Sequence, residues 1–302
     1  MFENVDAVQQ ALASQNYVAE RGLATSIYLT LRLGKPLFLE GEAGVGKTEI
    51  AKVLALLLDT RLIRLQCYEG LDANTAIYEW NYAQQMLHLR LLEASGATRS
   101  EMEHELFTRE FLQARPLLQA VEAAASGRPP VLLIDEIDRA DEEFEAFLLE
   151  ILSDFQVTIP ELGTIAAEIP PVVVVTSNRT REVHDALKRR CLYYWIDYPS
   201  FEKELKIVRT KAPDVEPMLA RQITAFIQEL RRMELFKAPG VAETLDWTAA
   251  LIALDQKKLS FDVVQDTLGV ILKYQDDIES LQPGVLESVM DRARLHAEIA
   301  RG

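Results

Sequence analysis

The sequence predicts an α/β domain, residues 1–199, followed by an all-helical domain, residues 200–302. Three observations carry this. Gly41-Glu42-Ala43-Gly44-Val45-Gly46-Lys47-Thr48 sits between the apolar run 36–39 and the strong helix formers of 49–58, the strand–glycine loop–helix context that a phosphate-binding loop requires. The run Val131-Leu132-Leu133-Ile134-Asp135-Glu136 ends in two acids, as a buried parallel strand does when it delivers carboxylates to the ligand edge of an open α/β sheet. From Ser200 onward the strand patterns stop and helical ones continue for about a hundred residues, a normal domain size, which makes Tyr198-Pro199-Ser200 the expected hinge.

The glycine loop has a physical logic. Gly41, Gly44 and Gly46 let the chain turn tightly and gather successive N–H groups around a phosphate. The helix that opens near Lys47 points its positive dipole end at the same anion. Lys47 is expected to reach the β- and γ-phosphates and the Thr48 hydroxyl to ligate Mg²⁺, which makes 41–48 the candidate ATP-binding residues. A glycine turn before a core helix is the bland alternative, and the strand and helix on either side speak against it.

Composition narrows the rest. A net charge of −15 argues against nucleic-acid binding, which draws its affinity from phosphate neutralisation by basic patches. No apolar run approaches the roughly twenty residues of a membrane helix. The acidic start, Met1-Phe2-Glu3-Asn4-Val5-Asp6, lacks a signal peptide's basic and apolar regions, so a cytoplasmic location is expected. Cys67 and Cys191 lie among apolar neighbours and read as buried small hydrophobes. The four histidines show no ligand spacing.

Taken in order, residues 18–33 place Leu23, Ile27 and Leu31 at helical spacing before Gly34, a stop signal. Residues 61–66 alternate as a second strand, and 67–72 read as a turn. In 73–92, Tyr78, Trp80, Asn81 and Tyr82 cluster. They form either a contact surface or a packed helix–loop insert, and the expectation tested below is that Trp80 and Tyr82 face a partner rather than the core. Residues 94–105 read as a loop entering a helix, and 111–125 as a helix ended by Ser126-Gly127-Arg128-Pro129-Pro130.

Within 131–138, Asp135 is the candidate to hold Mg²⁺, directly or through water, and Glu136 to orient and polarise the attacking water. A helix over 142–154 follows, with Phe144, Phe147, Leu148 and Ile151 on one face. Residues 155–165 hold two β-rich pieces around a Pro/Gly turn and read as a hairpin. The β-branched run Val172-Val173-Val174-Val175-Thr176 reads as a central strand. At its end, Asn178 either positions the water or γ-phosphate or simply makes a turn. Arg189 and Arg190, just before the strand pattern of 192–196, are either a solvated helix end or an arginine finger for a neighbouring subunit.

These residues, in this order, resemble an AAA+ ATPase. GEAGVGKT corresponds to Walker A, VLLIDEID to Walker B, the SN of TSN to sensor 1, and the RR after DAL to the arginine finger. The stretch DEIDRADEEFEAFLLEILSDFQVTIP is most similar to the MoxR group. LIRLQCYEGLD, YEWNY and GVAETLDW resemble a subgroup linked with carbon monoxide dehydrogenase and other molybdenum hydroxylases. The resemblance implies a five-stranded parallel sheet with a helical lid and a homo-oligomeric ring, commonly a hexamer. It also implies ATP and Mg²⁺ as cofactors. By the same resemblance Glu136, Asn178 and Arg190, with Arg189 as second candidate, carry catalysis, and Thr48 and Asp135 hold the metal. It further implies remodelling of a client protein or maturation of a metal centre, the client being a molybdenum hydroxylase, with a von Willebrand A domain partner. One departure stands out: Gly240-Val241-Ala242-Glu243-Thr244-Leu245-Asp246-Trp247 carries no sensor 2 arginine. The rival readings are a nucleic-acid-linked AAA+ motor, a small-molecule P-loop kinase and a non-hydrolysing scaffold.

Overall fold

The structure is a computed structural model that describes residues 2–96, 98, 102 and 105–299. Among these, one compact unit combines the residues up to Gln9 with Arg21–Glu40 and Thr48–Trp195. The other combines Gln10–Glu20, Gly41–Lys47 and the residues from Ile196 onward.

The first unit is built on a five-stranded parallel sheet. Its strands are β1 (Leu37–Gly41), β2 (Leu62–Gln66), β5 (Val131–Asp135), β8 (Val172–Ser177) and β9 (Leu192–Ile196), in the spatial order β2-β5-β8-β1-β9. β5 and β8 are central, and their apolar runs suit strands buried on both faces. The register pairs Gln66 with Asp135, Ile134 with Val175 and Glu40 with Ser177. It therefore brings the ends of β2, β5, β8 and β1 to one edge, the edge where open α/β sheets bind ligands.

Helices Pro116–Ala125 and Glu142–Asp154 pack Leu117, Val121, Phe144 and Leu148 with Leu132, Ile134, Val173 and Val175 in one core. Each such side chain contributes about 1.5–3 kcal/mol on burial. Asp141 caps the second of these helices, its Oδ1 accepting the Phe144 N–H at 2.8 Å. The expected hairpin is present as β6 (Gln156–Ile159) and β7 (Gly163–Ala166), antiparallel, with the Thr158 and Thr164 hydroxyls 2.9 Å apart.

Two expectations about this unit are corrected. Residues 111–125 are not one helix: Leu112–Ala114 form a short strand, β4, and the helix starts at Pro116. Proline fits the first helical position, where its missing N–H costs nothing, and it forces the preceding residue to be extended; Arg115 has φ −92° and ψ 172°. β4 pairs antiparallel with β3 (Tyr78–Trp80), Trp80 opposite Leu112. That pairing overturns the contact-surface role for Trp80. Its side chain is 9% exposed, belongs to the core, and meets Phe107 edge-on with ring centroids 5.4 Å apart. Tyr82 lies two residues on, in the helix Tyr82–Ser95 capped by Asn81, and it is exposed. The expected loop-to-helix passage at 94–105 lies largely outside the described residues.

The second unit is helical around its own core. Helices Phe201–Lys211, Pro217–Leu230, Val241–Ala253, Phe261–Ile271, Gln275–Ser280 and Pro283–Ile299 pack Val208, Phe226, Leu230, Trp247 and Val289 together. Trp247 is fully buried and its indole N–H donates to Thr267 Oγ1 at 2.8 Å, so the polar handle is satisfied. A buried ion pair sits here too: Arg231 donates both terminal nitrogens to Glu204 at 2.7 Å, and Thr244 and Gln228 complete the carboxylate's partners. The helix that carries Trp247 begins at Val241. No described helix is long and apolar enough to cross a membrane.

Candidate active site

In the second unit, the glycine loop 41–47 lies against the start of helix Val241–Ala253. The Ala242 N–H donates to Gly44 O at 3.1 Å. Gly44 has φ +77°, and a Cβ there would stand 2.9 Å from Glu243 Oε2. Gly41 allows a different approach, since a Cβ would meet Ile196 O at 2.2 Å. Gly41 therefore requires glycine for space, and Gly44 for its left-handed backbone. Lys47 is buried and its Nζ donates to Gly41 O at 2.8 Å and Glu42 O at 2.6 Å, so the ammonium lies within the loop that would enclose a phosphate. Where a sensor 2 arginine would be expected, the structure has a helix N-terminus closed by its own carboxylate: the Gly240 N–H donates to Glu243 Oε2 at 2.9 Å.

In the first unit, the strand ends gather the remaining candidates. The Thr48 hydroxyl donates to Asp135 Oδ1 at 3.0 Å, and the Thr176 hydroxyl donates to the same oxygen at 2.5 Å. Asp135 is almost fully buried, and on its other oxygen, Oδ2, it accepts Arg64 Nε at 3.0 Å and NH2 at 2.6 Å. Glu136 follows in a left-handed conformation, φ 57° and ψ 52°, which costs a non-glycine residue about 1–2 kcal/mol. Such strain persists only where the surroundings over-determine it. Here the Glu136 N–H donates to Thr176 Oγ1 at 2.9 Å and the Glu136 carbonyl accepts the Arg139 N–H at 3.0 Å. The turn aims the Glu136 carboxylate at Asn178, whose Nδ2 donates to Oε1 at 3.2 Å; Gln66 Nε2 donates to Oε2 at 3.0 Å, with Arg139 Nε 3.1 Å away.

Asn178 is itself placed by Asp138, which accepts the Asn178 N–H at 3.1 Å and the Thr180 N–H and hydroxyl at 2.9 and 2.7 Å. Burial alone would raise the Asp138 carboxyl. The Thr180 and Asn178 hydrogen bonds outweigh it and hold the group below its ordinary value. Burial, followed by the charges of Asp135, Asp138 and Glu136, pushes the Cys67 thiol up to about 12. That thiol stays protonated and takes no nucleophilic part.

The structure thus brings Thr48, Asp135, Glu136 and Asn178 together. It does not bring the arginine pair to them. Arg190 NH1 donates to Leu149 O at 2.7 Å, and Arg189 is 82% exposed with only a 3.9 Å pairing to Asp185. Thr176, Arg64, Gln66 and Asp138 were not singled out by sequence reasoning. Asp138 alone left a local signal, as the last acid of DEID. Thr48 and Asp135 fit Mg²⁺, which takes one or two carboxylates and fills its other positions with phosphate oxygens and water. Among the described residues no group of three acidic, histidine or cysteine side chains forms a self-sufficient metal site.

A family model described as an AAA domain of the dynein-related subfamily matches residues 36–191, just over half of the chain. The chain belongs to this AAA family. It carries an AAA+ ATPase domain, a class that in general hydrolyses nucleotides. Among relatives, an uncharacterised protein of Staphylococcus aureus is 25% identical over 208 residues, 67% of this chain and 70% of its own. One of Staphylococcus haemolyticus is 24% identical over 229 residues, 74% of this chain and 77% of its own. Among solved structures, the RuvB Holliday junction branch migration motor of Thermotoga maritima covers 85% of this AAA protein and 70% of its own chain is matched, at 19% identity and a TM-score of 0.45. A point mutant of the same RuvB gives 92% and 73%, at 20% identity and 0.48.

Proposed function

We propose that this AAA protein is an Mg²⁺-dependent ATPase of MoxR type that converts ATP and water to ADP and phosphate and applies the resulting conformational change to a client protein. The observation that carries the reading is the hydrogen-bonded set Thr48–Asp135–Thr176–Glu136–Asn178, in which a strained glutamate is held with its carboxylate bonded to Asn178 and Gln66 and paired at the surface with Arg139. Residues 41–47 and Lys47 bind the phosphates, and Thr48 and Asp135 hold the metal. Bound magnesium supplies neutralisation of the phosphate oxygens. Glu136 draws the proton of the attacking water, and Asn178 fixes the direction of the Glu136 carboxylate.

The trans contribution is proposed for the arginine pair in a homo-oligomeric ring, for which a hexamer is the proposed number. Arg189 is the better placed to reach a neighbour, because Arg190 already caps Leu149 O in its own chain. The helical residues 200–302 act as the lid, with the helix at Val241 resting on Gly44 in place of a sensor 2 arginine. The client proposed from the sequence resemblance is a molybdenum hydroxylase, served together with a von Willebrand A domain partner. The net charge of −15 favours a protein client over a nucleic-acid track.

Nucleotide binding by the purified protein and its Lys47→Ala variant tests the reading. Loss of the ammonium should weaken ATP binding sharply; equal affinity in the two proteins would remove the loop from its role.

A further inference from the structure

Arg64 is a cation at the strand edge that neither the phosphate loop nor the arginine pair accounts for. It stands on edge strand β2, on the same face as Gln66, because side chains two apart share a face. Its guanidinium forks. Two nitrogens reach Asp135 Oδ2, and NH2 also donates to Gln66 Oε1 at 2.5 Å. Gln66 then donates its amide nitrogen to Glu136 Oε2. One side chain thereby fixes the outer oxygen of Asp135 and, through one glutamine, an oxygen of Glu136.

The geometry is selective between the two oxygens of Asp135. Oδ2 is occupied by Arg64, and Oδ1 takes the Thr48 and Thr176 hydroxyls. Asp135 is 3% exposed and Arg64 52%. The carboxylate is thus locked by burial, and its charge is balanced from the solvent side without blocking the oxygen on the Thr48 side. A carboxylate that holds a metal depends on such outer partners for its orientation, and their loss typically costs about 10–100-fold in metal affinity or activity. A lysine keeps the charge but presents a point rather than a planar fork.

We propose that Arg64 is a positioning residue for metal-nucleotide binding: it holds Asp135 with Oδ1 turned toward Thr48 and, through Gln66, sets the Glu136 carboxylate. This rests on the proposed role of Asp135 in holding Mg²⁺. Arg64 acts through Asp135 and Gln66.

The test titrates Mg²⁺ against binding of a fluorescent ATP analogue to the full chain, for the wild type, Arg64→Ala and Arg64→Lys. Nucleotide affinity in EDTA and the thermal melt are measured alongside, and single-turnover hydrolysis follows. Arg64→Ala should raise the Mg²⁺ half-point about tenfold or more while affinity in EDTA stays within twofold. Arg64→Lys should recover most of the metal dependence but less of the turnover, because one ammonium does not reproduce the fork to Gln66. A half-point for Arg64→Ala within twofold of the wild type overturns the proposal, with or without a lowered melt; a lowered melt alone assigns Arg64 to stability. A wild-type protein that binds ATP with no metal dependence overturns this proposal together with the metal role of Asp135. Wild-type metal dependence that Arg64→Ala leaves unmoved overturns this proposal alone.

Discussion

Thr176 is the buried hinge-pin of the strand edge, and replacing it by valine is the most telling single change. Valine matches its shape and puts a methyl group in place of the hydroxyl. That hydroxyl donates to Asp135 Oδ1 at 2.5 Å and accepts the Glu136 N–H at 2.9 Å. A hydrogen bond to a charged group contributes about 1.5–3 kcal/mol, and a donor left without a partner costs about 1–3 kcal/mol more. The two together give roughly 3 kcal/mol as a lower-middle value, which for a unit of roughly 150–250 residues lowers the melting temperature by about 6–12 °C. The same loss releases Glu136 from its left-handed conformation, so turnover should fall at least about tenfold, as when outer partners of a reactive group are removed. Thermal and urea melts measure the first effect, the urea midpoint moving at constant m, and single-turnover hydrolysis measures the second. Thr176→Ser keeps both bonds and should behave as wild type. A valine variant melting within about 1 °C of the wild type, with turnover within twofold, would refute the argument that this hydroxyl positions the site.

Other consequences are equally concrete. Trp80→Ala removes a core side chain at 9% exposure and should cost about 3–5 kcal/mol; differential scanning calorimetry that finds no shift would return Trp80 to a contact role. Thr180→Val strips the hydroxyl's hydrogen bond from Asp138, whose folded value lies below its ordinary one, and leaves the backbone N–H bond in place. The stability this bond gives is complete above the unfolded value of about 4 and is lost as pH falls through the lower folded value. Urea midpoints of wild type and variant should therefore differ by a constant amount near neutral pH and converge in acid, and a gap that widens in acid would contradict the sign. Arg189→Ala subunits mixed with Lys47→Ala subunits should recover part of the activity that each lacks, because an arginine supplied in trans is worth about 10³–10⁵ in rate. No recovery in rings shown to be mixed, with Arg190→Ala run in parallel, would count against a trans arginine.

What the sequence made legible was whatever its signal kept contiguous. The phosphate loop, β5 with Asp135 and Glu136, and β8 with Asn178 each declare themselves in fewer than about ten residues, because a strand's end and its functional side chain are neighbours in the chain. Trp80 was misread because its burial depends on β4, which lies beyond a long intervening segment; an aromatic cluster looks the same from sequence whether a strand covers it or a partner does. Thr176 and Arg64 were overlooked for a related reason. A threonine closing a β-branched run and an arginine in an alternating strand are ordinary there, and only the β2-β5-β8 order sets both beside Asp135. The start of the helix at Val241 leaves little local signal, because Gly240 offers no side-chain cap and Glu243 closes the turn instead.

The most direct measurement of the central claim compares ATP binding with single-turnover hydrolysis in Glu136→Gln. The amide keeps the size of the side chain and a partner for Asn178, but it cannot take the proton of the attacking water. The account predicts near-normal Mg²⁺-ATP affinity with turnover reduced by at least about a hundredfold, the lower end of what general-base catalysis contributes. Turnover within a few-fold of the wild type, in a protein that binds ATP normally, would contradict it.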